Sequence, residues 1–320
     1  MDGLEWRAPT DVDLPAWVEL LAAIEAADRA GEVIGTRELE DQIGLSYFDP
    51  ITDARLGWTV VGELVAWGTV LCIPNARQRR VSLQGAVHPE WRGRGVGSEL
   101  VAWQVARGLD VGAAGPPELP GWLEVVASEH DRARADVFRD CGFAPIRYYL
   151  EMRRDLSAPI PEPRPAVGVT LEPFDVPSDE LVRLAHNEAF EDHWGATAID
   201  EETWATWCTG HHEFRADRSF VARDGHEVVG YALNSEHPND WPALGFREGW
   251  THQLGVLRPW RRRGVATALL LATLRAFVGD GLDFAALDVD SENPTGALAL
   301  YESVGYARER CYVAWAHPLS

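Results

Sequence analysis

The sequence predicts an α/β protein of two homologous domains. Three observations carry that reading: a phrase that occurs twice, an order of strand-like and helix-like segments that recurs around it, and a proline-rich join between the copies. The phrase runs Val87-His88-Pro89-Glu90-Trp91-Arg92-Gly93-Arg94-Gly95-Val96-Gly97 and returns as Val256-Leu257-Arg258-Pro259-Trp260-Arg261-Arg262-Arg263-Gly264-Val265-Ala266. Gly95 and Gly264 lie 169 residues apart, as do Arg92 and Arg261; Gly142 and Gly305 lie 163 apart, as do Leu156 and Leu319. The first copy therefore holds about six extra residues, expected in the loop from Gly112 to Pro120. The join falls in Ser157 to Pro165, where prolines favour extended backbone, giving domains over residues 1–160 and 166–320.

The elements of the second copy follow from periodicity. Val169 to Pro173 alternates as a strand, and Asp179 to Phe190 places Leu181, Val182, Leu184, Ala185 and Ala189 at helical spacing. Glu201 to Cys208 is expected as a second helix, and Ser219 to Arg223 with Glu227 to Asn234 as a hairpin around Asp224-Gly225. Trp250 to Leu257 reads as a strand, Gly264 to Val278 as a long apolar helix, Asp283 to Val289 as a strand, Thr295 to Val304 as a helix and Ala307 to Ala316 as a last strand. The first copy repeats this order.

Composition narrows the chemistry. The 320 residues are 46% hydrophobic, ample for two cores, with no apolar run that would span a bilayer and no secretory pattern at the start, so a cytoplasmic protein is expected. Cys72, Cys141, Cys208 and Cys311 have neither disulfide-framework nor metal spacing, and Cys208, His211 and His212 lack a fourth ligand; no metal is expected. All 29 basic residues are arginine, which excludes a lysine Schiff base and the lysine-bearing P-loop. A net charge of -21 argues against nucleic acid and suits a small cationic partner.

An Arg- and Gly-rich turn between a strand and a helix is a phosphate cradle. Amides freed at the helix start point outward, the helix dipole favours anions, and arginine adds charge-assisted bonds. The element order with this turn after the fourth strand resembles the GCN5-related N-acetyltransferase (GNAT) family over nearly the whole chain. Its signature is met by Arg92, Gly95 and Gly97 and by Arg261, Gly264 and Ala266. The resemblance implies, in each half, a mixed and mostly antiparallel sheet flanked by helices. It also implies acetyl-coenzyme A as co-substrate, its pyrophosphate held by the turn and helix start: Val87, Arg92, Gly93, Arg94, Gly95, Val96, Gly97 and Ser98 in the first half, Arg261, Arg262, Arg263, Gly264, Val265, Ala266 and Thr267 in the second. The pantetheine arm would lie along backbone near Leu254 and Val256, where an N–H is placed to hold a developing oxyanion.

Beyond the cradle the two halves differ. Asp288 to Asn293, then Tyr301, Gly305 and Tyr306, is similar to the family's late motif, which implies that Asn293 helps bind the cofactor and that Tyr301 protonates departing coenzyme A. At the matching sites the first half has His130 and Phe138, so the second half is expected to be catalytic and the first to bind without turnover or to serve as scaffold. Glu248, His252, Asp288 and Asp290 are the local carboxylates and imidazole that could take a proton from the amine, with Glu248 and His252 preferred because they precede the cofactor strand. Glu191, Asp192, His193 and Trp194, with Trp204 and Trp207 further on, are expected to recognise a small aminated substrate. The joint from Glu151 to Pro163 is similar to that of mycothiol synthases, two-domain members that acetylate a cysteinyl amine; the chain differs from them in placing Trp250 where their strand carries an acid. An acyl-coenzyme A sensor without turnover is the reading from another class.

Overall fold

The computed structural model describes residues 3–319 except 30, 32, 74–76, 192, 196, 197 and 294. The chain forms two compact units, but they do not divide at the proline-rich join: one comprises residues 1–147 and 312–320, the other 148–311. The last strand of each repeat thus belongs to the unit built by the other.

The first unit contains β1 (Glu5–Arg7), α1 (Leu14–Asp28), α2 (Thr36–Ile43), α3 (Pro50–Asp53), β2 (Ala54–Trp58), β3 (Leu64–Cys72), β4 (Arg79–Val87), α4 (Val96–Ala113), β5 (Gly121–Ser128) and α5 (Arg132–Asp140). Strand β6 (Ala144–Asp155) then crosses to the second unit. That unit adds β7 (Val169–Pro173), α6 (Asp179–Ala189), α7 (Glu201–Trp204), β8 (Phe220–Asp224), β9 (Glu227–Glu236), α8 (Trp241–Leu244), β10 (Glu248–Val256), α9 (Val265–Gly279), β11 (Phe284–Asp290) and α10 (Ala297–Ser303). The closing strand β12 (Ala307–Pro318) returns to the first unit from Tyr312. Within the first unit the strands lie in the order β1-β2-β3-β4-β5-β12, and within the second β6-β11-β10-β9-β8-β7. Each sheet is mixed, with β4–β5 and β10–β11 parallel and the other described pairs antiparallel. Residues 312–318 pair with β5, and residues 149–155 pair with β11.

The elements arise where patterning demands them. Helix α9 is apolar on nearly every face, so it is buried rather than amphipathic, and Leu269, Leu270, Leu274 and Phe277 are sealed from solvent. Strand β9 is buried continuously from Val228 to Glu236, as a central strand covered on both faces must be. One core joins Leu270, Leu274 and Phe277 of α9 to Leu150 and Met152 of β6 and Leu287 of β11; another sets Val182 and Ala185 of α6 against Trp204, Tyr231 and Leu233.

Two local expectations change. The six extra residues do not all enlarge the loop: α4 has 18 residues against 15 in α9, so about half extend the helix, where each additional turn buries more apolar surface. The helix expected from Glu201 to Cys208 ends at Trp204 and widens into a π-helical turn, Ala205–Thr209.

Trp315 of β12 is 6% exposed and packs edge-on against Phe138 of α5, with ring centroids 6.3 Å apart. Replacing Trp315 by Ala should cost about 3–5 kcal/mol. Hydrogen exchange should show protection lost first in α5 and β5, although the substitution lies at the far end of the chain.

Candidate active site

Strand β10 pairs with β11 only through Glu248↔Phe284, Gly249↔Ala285 and Trp250↔Ala286, while its pairing with β9 continues to Val256↔Gly230. Beyond Trp250 the two parallel strands part, and the β11-facing edge of β10 offers its main-chain groups to a ligand along the stretch containing Leu254 and Val256. The β9–β10 register slips between Thr251 and Gln253, so His252 occupies a bulge beside the opening. In the first repeat β4 and β5 also part, after Ser82↔Glu124, but β3–β4 pairing runs without a slip from Ala66↔Val87 to Cys72↔Val81. The counterpart of His252 there is the buried Leu83.

Both cradles are formed. Helix α9 makes its first backbone bond from Ala268 N–H to Gly264 O at 2.9 Å, and α4 from Glu99 N–H to Gly95 O at 3.0 Å. The amides of Val265, Ala266 and Thr267, and those of Val96, Gly97 and Ser98, therefore precede the intrahelical ladder and are available to an anion. A Cβ at Gly93, Gly95 or Gly264 would meet no atom within 4 Å, so neither cradle is filled by its own chain. Gly93 has φ 73° and its counterpart Arg262 has φ 61°; the turn imposes a left-handed residue here whichever side chain is encoded. Thr267 lines a cavity of about 350 Å³ together with Gly264 and Arg164.

The signature arginines of the two phrases behave differently from the expectation. Arg261 Nε donates to Val256 O at 3.1 Å and its terminal nitrogen to Ala189 O at 2.7 Å; Arg92 Nε donates to Val87 O at 3.1 Å and forks onto Asp28 at 2.6 and 2.9 Å. Both guanidinium groups brace the strand end above the cradle. Arg94 and Arg263 each lie over the tryptophan of their own turn, Trp91 at 4.8 Å and Trp260 at 4.9 Å.

Tyr301 stands on α10 in the α9-side core, 8% exposed, with its ring edge-on to Tyr306 at 6.1 Å. Burial pushes its phenol up to about 12, so it is a protonated donor at neutral pH. Tyr231, in the neighbouring core, has a ring that would collide with any Cβ at Gly255 of β10. In the first unit the equivalent pair is Phe138 and Phe143, 6.0 Å apart. Asn293 Oδ1 accepts from Thr295 N–H at 2.9 Å, which fixes the turn ahead of α10. Asp290 likewise accepts from Glu292 N–H at 2.9 Å.

The opposite face carries the groups expected to meet an acceptor. His193 packs on Phe190 at 4.3 Å, and Phe190 stacks on His186 at 4.3 Å, so His193 joins an aromatic cluster; Glu191 faces Arg258 at 3.4 Å in an exposed pair. Trp194 follows in the same segment, and Asp192 lies outside the described residues. His186 and Tyr231 share a buried hydrogen bond of 2.7 Å. Their counterparts in the first unit are Trp17 and Trp67, with ring centroids 5.5 Å apart, planes tilted by 50° and indole N–H groups that find no acceptor.

The two preferred bases separate. Glu248 is 2% exposed and ion-paired with Arg153, which also reaches Glu151 at 3.2 Å and Glu309 at 2.9 Å, so Glu248 belongs to a buried ionic network. His252 is open to solvent along part of its surface, and its Nε2 lies 3.1 Å from His237 Nε2. His237 in turn contacts Ser235 Oγ at 3.0 Å and pairs through Nδ1 with Glu213. Sequence reasoning missed His237 and Glu213; they are 24 residues apart on separate loops, and only the return of β9 beside β10 joins them to His252.

A profile described as the Acetyltransferase (GNAT) family matches residues 180–306. A protein named mycothiol acetyltransferase from Salinispora arenicola is 34% identical over 92% of this chain and 92% of its own. One of the same name from Thermobispora bispora is 31% identical over 90% and 92%. Among solved structures, a GCN5-related N-acetyltransferase from Sphaerobacter thermophilus aligns with a TM-score of 0.77 at 28% identity, covering 100% of this chain and 96% of that one. A tandem GNAT protein from the clavulanic acid biosynthesis pathway aligns at 0.70 with 18% identity, covering 99% of each chain.

Burial, then the charge of His193, lowers the His186 imidazole from 6.5 to about 4. Above pH 6.5 it is neutral whether the chain is folded or not. As pH falls from 6.5 to 4, the unfolded chain takes up a proton that the native site refuses, so stability drops by up to about 3 kcal/mol over that window. Urea unfolding at stepped pH should show this loss, and the double variant His186→Phe, Tyr231→Phe should flatten it.

Proposed function

Because the chain belongs to the GCN5-related N-acetyltransferase family in its tandem form, we propose that it moves an acetyl group from acetyl-coenzyme A to a primary amine of a small molecule, with turnover in the second repeat. The observation that carries this reading is the coincidence, in that repeat alone, of a parted strand pair, a bulge at His252 and a buried phenol at Tyr301. The cradle ahead of α9 has open space and unpaired helix-start amides suited to a diphosphate. The exposed edge of β10 supplies hydrogen bonds for an extended pantetheine arm and an N–H for the developing oxyanion. Tyr301, protonated at neutral pH, is the donor to the leaving sulfur. The first repeat has the cradle and the parted strands without the bulge or the phenol, which supports binding or scaffolding without turnover.

The acceptor favoured by the relatives' name is the cysteinyl amine of a mycothiol precursor, since two proteins so named match this chain over at least nine-tenths of its length. An aromatic and acidic acceptor face fits a polar amine of that kind. Coenzyme A release, followed chromatographically across a panel of small amines, should be fastest with a cysteinyl amine. Tyr301→Phe should lower kcat on the order of 10²-fold, whereas Phe138→Tyr should change it little. Tight acetyl-coenzyme A binding with no release for any amine would instead favour a sensor.

A further inference from the structure

The acceptor face contains a chain of titratable groups that neither the cradle nor Tyr301 uses: Glu213 Oε2 to His237 Nδ1, then His237 Nε2 to His252 Nε2 at 3.1 Å. We propose that these three residues form a proton relay in which His252 takes the proton from the acceptor's amine and passes charge inward to the His237–Glu213 pair. The inference rests on the acetyl-transfer reading and extends it by assigning the base.

The hydrogen-bond roles are fixed by elimination. Glu213 is 9% exposed, and although burial works to raise its carboxyl, the bond from His237 and the nearby charges of His237, His211 and His212 hold it below the ordinary value, so it is an acceptor only. When His237 is neutral, as it must be to receive a proton, Nδ1 carries the hydrogen that faces Glu213 and Nε2 keeps a lone pair. His252 Nε2 must then be the donor across the 3.1 Å contact, and its Nδ1 is left with a lone pair. The bulge at His252 is what sets the ring beside the parted strands. Trp250 holds it there by stacking at 6.1 Å with 23° between planes.

One N–H bond of the substrate ammonium breaks, its proton bonds to His252 Nδ1, and the electron pair stays on the amine nitrogen for attack. The Nε2 proton of His252 moves to His237 Nε2, and the new imidazolium sits against Glu213, whose carboxylate stabilises it. Partial desolvation of the ring, then the charges of His237 and His211, lower His252 below its ordinary value, against a smaller opposing pull from Glu213. His252 alone would be a poor store for a proton. In the relay it conducts the proton and the inner pair keeps it. His252 is thus the catalytic residue, and His237 and Glu213 are positioning and charge-holding residues. This offers a substitute for the acid expected where Trp250 stands.

The test combines two readouts on the full chain. Nitrogen NMR of the histidine rings needs no acceptor: it should find His252 protonated at Nε2, and Glu213→Gln should move the titration of His237 to lower pH. His252 protonated at Nδ1, or a His237 titration indifferent to Glu213→Gln, would overturn the relay even if no amine were turned over. With acetyl-coenzyme A, His252→Gln, His237→Gln and Glu213→Gln should each lower kcat/KM for an S-alkylated cysteinyl amine on the order of 10²-fold. Hydroxylamine, already neutral near pH 7, should lose only a few-fold, which also reports that each variant is folded. The acid limb of the pH profile should move to lower pH in Glu213→Gln. Equal losses on both acceptors with an unmoved limb would reduce the cluster to a structural one.

Discussion

Two parallel strands stay paired only while their backbones run side by side, and β10 leaves β11 after Trp250. From that point the β10 edge has main-chain donors and acceptors that folding has not satisfied internally, in a strand otherwise buried between β9 and the helices. The rest of the second unit is arranged around this gap. Helix α9 begins at its mouth and presents free amides, α10 brings a phenol to one side, and the bulge turns an imidazole to the other. Arg261 holds the geometry by bonding the last carbonyl of β10 and the end of α6, so the signature arginine fixes the frame in which the amides act.

The two repeats separate what a cradle needs from what turnover needs. Both keep the glycine-capped helix start, the braced arginine and the arginine laid over tryptophan. At matching positions they differ in polarity: Tyr301 and Tyr306 against Phe138 and Phe143, the hydrogen-bonded His186 and Tyr231 against the tilted pair Trp17 and Trp67, and His252 against Leu83. The first unit has exchanged polar pairs for aromatic packing. The exchange has a cost, since the buried indole N–H groups of Trp17 and Trp67 are left without an acceptor.

Much of this was legible in the chain. The duplicated turn, the order of elements and the loss of a phenol at Phe138 are local facts of spacing and residue type. Tertiary pairing decided the rest. The slip at His252 depends on which residue of β9 faces which residue of β10, and no pattern in the strand Trp250 to Leu257 announces it. His237 and Glu213 read as loop residues until two turns meet. Glu248 looked available because its partner Arg153 belongs to β6, a strand of the other repeat. The brace role of Arg92 and Arg261 was hidden for a similar reason: a motif names the residue but not the atom it holds. Even the extra length in the first copy divided between helix and loop, since a longer α4 gains apolar contact that a longer loop would not.

The exchanged closing strands constrain how such a protein can be made and divided. Scission at the proline-rich join would yield two fragments that are each complete in sequence as repeats yet lack the strand that seals their own sheet. Each would carry an unpaired edge open to aggregation. The first unit cannot close its sheet until residues 312–318 are available to pair with β5, so its completion is a long-range step. Gene duplication of this kind ties the fates of the copies together: neither repeat can be discarded, because each unit is built on a strand of the other repeat.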